Sequence, residues 1–143
     1  MKQKPALTQV VAALIWREGK VLICQRPSHK ARALLWEFPG GKVEMGESHQ
    51  QALIRECEEE LGVRLQVGAL YTQVSHEYPD IHVRLSLYHA RVLGGSLQRL
   101  EHAAFAWEKP ENLMAYNFCP ADTDIISTMA KGVKAPDFEG GTA

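Results

Sequence analysis

Three glutamates, Glu56, Glu59 and Glu60, recur at i, i+3 and i+4 in the stretch HQQALIRECEEELGV, so on a helix they share one face. Carboxylates packed this way raise one another's pKa and oppose folding unless a cation neutralises them. Oxygen-only ligands select hard cations, and Mg²⁺ favours a few carboxylates completed by water and substrate phosphates. Phosphate chemistry is the natural partner of such a face. Directly upstream, WEFPGGKVEMGES supplies Gly40 and Gly41, where backbone can approach a metal or phosphate with no side chain in the way. Arg55 reaches Glu59 at i, i+4, orients one carboxylate and offsets part of the repulsion. Glutamate-rich helix faces are also commonly solvated surfaces, and the acids by themselves do not separate the two readings.

The element that must carry these acids has clear ends. Ser48 and Gln51 form the S-x-x-Q capping pattern and Gly62 is the left-handed stop, which predicts a helix over 49–61. Leu53, Cys57 and Leu61, with Ala52 and Ile54 alongside, form its core-facing stripe. Around it the chain reads mostly as strands. QVVAALIW (9–16) and VLICQR (21–26) form a hairpin about a turn containing Gly19. SHKARALL leads as a loop into WEFPGG, where Pro39, Gly40 and Gly41 exclude a regular helix. LQVGALYTQVSHEY is β-like, Pro79 and Asp80 turn the chain, and IHVRLSLY alternates. Its apolar side is Ile81, Val83, Leu85 and Leu87, and its polar side is His82, Arg84 and Ser86. LGGS at 93–96 reads as a break, AFAWEK as a further strand, and ADTDIISTMAKG as a helix beginning near Pro120. The expected fold is a mixed-sheet α/β or α+β domain. It forms one domain over 1–132, with a flexible tail over 133–143 that lacks periodicity.

Composition narrows the function. The chain has 143 residues, 45% of them hydrophobic, enough for one domain with its own core and no need of disulfides or structural zinc. A formal net charge of −1 gives no basic excess to hold a nucleic-acid polymer. Cys24, Cys57 and Cys119 are widely spaced, with no CxxC pair, which points to a reducing, cytoplasmic compartment. The apolar run VVAALIW at 10–16 is too short for a membrane span and is followed by REGK rather than a cleavage pattern, so no membrane partner is expected. The six histidines show no i, i+4 pair; His102, beside Glu101, is the one nearest to candidate chemistry.

Residues 41–63 read Gly41, five residues, Glu47, seven residues, Arg55, Glu56, Cys57, one residue, Glu59, Glu60, one residue, Gly62, Val63. This resembles the Nudix box, the signature of hydrolases that cleave nucleoside diphosphates linked to another moiety. With residue frequencies near ~7%, matching all its fixed positions by chance has a probability on the order of 10⁻⁸ per starting position. Cys57 stands where an aliphatic residue is usual, and as a small buried hydrophobe it reads as core rather than nucleophile. WEFPGGKVEMGES and EYPDIHVRL are similar to segments of the MutT branch of the family, which removes oxidised or otherwise abnormal nucleoside triphosphates as the monophosphate and pyrophosphate. The resemblance covers about residues 8–132 and implies the Nudix α/β/α sandwich, a mixed β-sheet between helices.

Carried over by position, the resemblance makes Glu56, Glu59 and Glu60 divalent-metal ligands, joined by the Gly40 carbonyl, with Arg55 orienting them and Glu47 an accessory metal residue. Glu101 aligns with a loop acid that binds metal or takes a proton from the attacking water; an exposed surface acid is the other reading. Arg26 corresponds to a phosphate or base contact, or to a surface ion pair. Phe38 and Tyr78 correspond to walls of the base pocket, or to core packing. The implied cofactor is Mg²⁺, with Mn²⁺ as substitute, bridging the substrate's charges and activating water so that no protein nucleophile is needed.

Base choice is open at this level. NFCPADTDII resembles the FPPAN segment of the branch with Asp122 in place of asparagine, and a carboxylate only accepts where an amide also donates. Asp122 then accepts from the N1 and N2 hydrogens of a guanine-type edge or from the cytosine amine; alternatively it caps the terminal helix. Ile81 replaces an arginine of the branch and removes one polar contact. The expected activity is hydrolysis of oxidised or non-standard nucleoside triphosphates such as 8-oxo-dGTP, in nucleotide-pool sanitisation. Its alternatives are a cytosine triphosphate, a dinucleotide or nucleotide sugar, and a non-catalytic nucleotide-binding module, which would be expected to have lost box carboxylates. The expected partner is a small nucleotide, acted on by a monomer or homodimer.

Overall fold

In a computed structural model, which describes residues 6–138, the chain runs β1 (Leu7–Arg17), β2 (Lys20–Gln25), β3 (Trp36–Glu37), β4 (Gly40–Lys42), α1 (His49–Leu61), β5 (Val63–Glu77), β6 (His82–Gly95), β7 (Ala104–Glu108) and α2 (Thr123–Ala130). The long strand β1 organises the sheet. It pairs in parallel with β6 from Leu7↔His82 to Ile15↔Ala90, antiparallel with β4 near its middle, and antiparallel with β2 at its end. β5 closes one edge on β6, while β3 and β7 flank β2. The sheet is therefore mixed.

Side chains of β1 alternate between two dry layers, as the two-residue period of a strand requires. Val11, Ala13 and Ile15 join Leu22, Ala52, Leu53, Cys57 and Leu61 under α1. Ala12, Leu14 and Trp16 join Leu87, Leu113, Ile125, Ile126 and Met129 under α2. The expected sandwich of a mixed sheet between helices is what forms. α1 has the expected ends: Ser48 Oγ accepts from Gln51 N at 3.1 Å, Gln51 Oε1 accepts from Ser48 N at 2.9 Å, and Gly62 stops the helix at φ 69°.

The expected β1–β2 hairpin turn is Glu18–Gly19, with φ of 52° and 77°, the double left-handed geometry of a tight hairpin turn. Other expectations shift. WEFPGG is not only loop: two short strands form there because β2 and β1 offer partners on either side of Pro39. β6 passes through Gly94 and Gly95 because Arg64 and Val63 of β5 pair with them, so the expected break at 93–96 falls later. The terminal helix is preceded by a 3₁₀ turn, Pro120–Asp122. Within the expected tail, Val133 and Phe138 are partly buried against the α2 layer, and residues 139–143 lie outside the described residues. Among the described residues, no helix is long and apolar enough to cross a membrane.

Candidate active site

Beside the middle of β1 the segment Phe38–Lys42, the acidic face of α1, the tip of the β5–β6 hairpin and the 3₁₀ turn before α2 enclose a cleft of about 390 Å³. Gly40, Glu56, Glu59, Glu60 and Glu101 line it, as do Arg26, Phe38, Tyr78, Ile81 and Asp122. Most of the residues picked from sequence thus meet in one place, although they span positions 26 to 122. Glu47 and Arg55 sit behind the acidic wall rather than on the cleft surface.

The glycines are needed for this closeness. A Cβ on Gly40 would collide with the Val11 carbonyl, and one on Gly41 would collide with the Glu56 carboxylate. The segment can therefore lie against β1 only with no side chain at Gly40, and a side chain at Gly41 would displace the Glu56 carboxylate. Arg55 then gathers the acids from behind. Its Nε donates to Glu47 Oε2 at 2.7 Å, and its Nη1 to Glu56 Oε1 at 3.0 Å and Glu59 Oε2 at 3.4 Å. Hydrogen bonding to Arg55 holds the Glu47 carboxyl down at about 2. Nη2 of Arg55 also donates to the Lys42 carbonyl at 3.1 Å, tying the helix to the glycine loop.

Glu60 is the buried member of the set, 8% exposed, with Oε2 lacking any partner. Burial first, and then the neighbouring Glu56 and Glu37 carboxyls, push its pKa far above the carboxylate range. Among the described residues no three acidic, histidine or cysteine side chains already surround one point. The donors nonetheless suit a hard divalent cation: oxygens only, on one helix face, one of them buried and unpaired.

At the far end the cleft turns apolar. Ile81, Val83 and Leu85 form one wall, and Phe38 packs on Phe118 with ring centroids 5.4 Å apart, so Phe38 serves core and cleft together. Tyr78 accepts from the Ala121 amide at 2.9 Å and carries the Arg32 guanidinium 4.1 Å above its ring. This fastens the hairpin tip to the segment that holds Asp122. A second fastening is the pair of backbone bonds from Trp36 to Asn117 and Cys119, at 2.8 and 2.9 Å. Asp122 occupies the residue before α2 but makes no side-chain cap bond, so the capping alternative does not hold. Its carboxyl is 4% exposed with Oδ1 unpaired, and burial, aided by Glu37, raises its pKa to about 8.

Arg26 lines the cleft, and its Nη1 pairs with Glu37 at 2.9 Å, a partly buried ion pair rather than a surface one. Glu101 is half-exposed at the rim, 3.7 Å from Lys30. Burial raises all three thiols, Cys119 to about 12, so none is a ready nucleophile. Sequence reasoning missed Glu37, which contacts Arg26 and His102, and Arg32, which pairs with Asp80 at 3.0 Å. Glu37 lay inside the quoted WEFPGG segment, but the distance in sequence to His102 hid their contact.

An acid wall on a helix, set against a glycine-rich segment, opens into an apolar slot that holds a buried carboxyl. The NUDIX domain model matches residues 10–128, and the chain belongs to the Nudix hydrolase family. It is 42% identical over 120 residues to the CTP pyrophosphohydrolase of Escherichia coli, covering 84% of this chain and 89% of that one. It is 32% identical over 124 residues to the E. coli 8-oxo-dGTP diphosphatase, covering 86% and 96% of the two. The crystal structure of a MutT protein from Methanosarcina mazei superposes with a TM-score of 0.81 at 26% identity, over 92% of this chain and 97% of that one. Nudix hydrolases in general use divalent metal and act on small nucleotides.

Proposed function

We propose that this protein is a Mg²⁺-dependent nucleoside triphosphate pyrophosphohydrolase that acts on oxidised or non-standard nucleotides such as 8-oxo-dGTP, yielding the monophosphate and pyrophosphate. The observation that carries this reading is the pairing, in one cleft, of the Glu56–Glu59–Glu60 wall with the buried Asp122 carboxyl. The cleft volume of about 390 Å³ is near the low end of ligand pockets, roughly 300–1,000 Å³, and favours a single nucleoside over a dinucleotide.

Glu56, Glu59 and Glu60, with the Gly40 carbonyl, would hold the metal, and Mn²⁺ would substitute for Mg²⁺ there. Bound, the metal supplies charge neutralisation of the phosphates and activation of water. The chain's own residues do the rest. Arg55, braced by Glu47, keeps the acids in register; Glu101 stands at the rim, where a proton from the attacking water can be taken. Arg26 offers a positive contact to the substrate, and Phe38 and Tyr78 flank the base. Asp122 reads the base edge. Near neutral pH its raised pKa leaves it largely protonated in the empty pocket, so it donates as well as accepts, as the amide at this position in the MutT branch would.

A second reading, cytosine triphosphates, is favoured by the 42% identity to a CTP pyrophosphohydrolase, and the same protonated carboxyl suits the paired acceptor and amine of a cytosine edge. Pyrophosphate release with Mg²⁺ from 8-oxo-dGTP, dGTP, CTP, dCTP and 5-hydroxy-dCTP, scored as kcat/KM, separates them. Preference for 8-oxo-dGTP over dGTP supports the first reading, and preference for the cytosine nucleotides supports the second. Hydrolysis of ADP-ribose, NADH or a diadenosine polyphosphate alone would overturn both.

A further inference from the structure

His102 follows Glu101 but points away from solvent: the residue is 7% exposed. Its Nε2 lies 3.2 Å from Glu37 Oε2 and 3.4 Å from Glu60 Oε1, while Nδ1 has no partner. All polar contact of the ring is thus concentrated in one atom set between two carboxyl groups. Those groups come from different elements of the fold. Glu60 is the buried acid of α1, and Glu37 sits on β3, where its other oxygen accepts from Arg26 Nη1 at 2.9 Å.

The backbone on either side of the ring is fixed. Gln98 N donates to the Leu61 carbonyl at 2.8 Å, Leu100 N to the Glu60 carbonyl at 3.2 Å, and Ala103 N to the Gln25 carbonyl at 2.9 Å. The loop is stitched both to the end of α1 and to β2, which holds the backbone of His102 beside the two carboxyl groups. A buried carboxylate with no donor beside it is costly, and two facing each other are costlier. Nε2 is hydrogen-bonded to Glu37 Oε2 and stands 3.4 Å from Glu60 Oε1, so one N–H faces both carboxyl groups. It also fixes which oxygen of Glu60 is engaged and leaves Oε2 free.

We infer that His102 is a positioning residue: its Nε2–H fixes the Glu60 carboxylate for a divalent cation and links it, through Glu37, to Arg26 at the substrate end of the cleft. This inference rests on the assignment of Glu60 to the metal. Groups that orient metal ligands typically change metal affinity or activity by about 10- to 100-fold when removed.

The test is Mn²⁺ binding to the nucleotide-free protein, by calorimetry and by the electron paramagnetic resonance of free Mn²⁺, in wild type, Glu60→Gln, His102→Phe, His102→Gln and His102→Asn. Melting temperatures and kcat and KM with Mg²⁺ accompany it. His102→Phe, which keeps the ring and loses the donor, is expected to bind Mn²⁺ about 10- to 100-fold more weakly while remaining folded, with its kinetic loss mainly in kcat. His102→Gln, whose amide can place a donor near the Nε2 position, restores most of the affinity, and the shorter His102→Asn does not. Mn²⁺ affinity in His102→Phe within twofold of wild type overturns the inference. Should His102→Phe not fold, the Gln and Asn variants decide: equal affinity in these two overturns it. Glu60-dependent Mn²⁺ binding in a wild type that hydrolyses no nucleotide would remove the proposed activity and leave the His102 comparison standing. Binding indifferent to Glu60→Gln would overturn the inference together with its metal ligand.

Discussion

The two ends of the cleft are built in different ways. At the acidic end the functional groups come from one helix and the loop before it, and Arg55 ties Glu47, Glu56 and Glu59 together within a span of 13 residues, 47 to 59. At the apolar end Phe38, Tyr78 and Asp122 come from three separate segments, joined by the Ala121–Tyr78 bond and by the contacts of Trp36 with Asn117 and Cys119. The acidic end is local and rich in carboxyl groups; the other is assembled over long range and is largely apolar. A local site tolerates change elsewhere in the fold and supports a shared reaction. A site assembled from distant segments can alter its ligand preference through one substitution, such as the aspartate at 122.

Breaking the acidic end should have the largest effect. Glu59→Gln and Glu60→Gln are expected to lower kcat by about 10³-fold or more, since several kcal/mol of phosphoryl charge stabilisation depend on the metal. Steady-state kinetics with Mg²⁺ checks this, and unchanged rates in both variants would remove the metal assignment.

The dry end should show itself in pH dependence. Asp122 has a folded-state pKa raised to about 8, so the native protein keeps a proton that the unfolded chain has released across the window from about pH 4 to 8. Stability from this group is therefore fully present at the acid side and is lost as pH rises through 8. Asp122→Asn removes the titration. Thermal melts without metal or nucleotide should show the variant gaining on wild type as pH rises from 5 to 8.5, and parallel curves would contradict the burial of that carboxyl.

The smallest effect belongs to the α1 core stripe that supports the acidic end. Cys57 is fully buried in the layer with Leu53 and Leu61. Cys57→Val, a swap of similar volume, should cost less than about 1.5 kcal/mol by denaturant unfolding and leave kcat intact. A large loss of turnover would give the thiol a role that neither its burial nor its raised pKa supports.

The same contrast explains what was legible in sequence. The α1 boundaries, its capping box and its acid face follow from spacing within one segment, and all are present. The hairpin of β1 and β2 follows from its turn and its β-rich runs. β1 running in parallel beside β6 across some 75 residues does not, because strand pairing leaves no mark at that separation. Gly94 and Gly95 read as a break, yet a partner strand outweighs their low β-propensity. Asp122 is legible only through the resemblance, and its burial without a cap bond removes the helix-cap alternative. The contacts of Glu37 with Arg26 and His102 required the fold, since each partner is unremarkable where it stands in the chain.

We propose that the two ends of the cleft act together on one nucleoside triphosphate. The most direct test of this is kcat/KM with Mg²⁺ for 8-oxo-dGTP, dGTP and CTP in wild type and Asp122→Ala. Wild type should release pyrophosphate and prefer 8-oxo-dGTP over dGTP, and the variant should still release pyrophosphate while that preference falls by about 10- to 100-fold, the worth of a good base-edge contact. An unchanged preference in Asp122→Ala, or a wild type that releases pyrophosphate from none of the three, would contradict it.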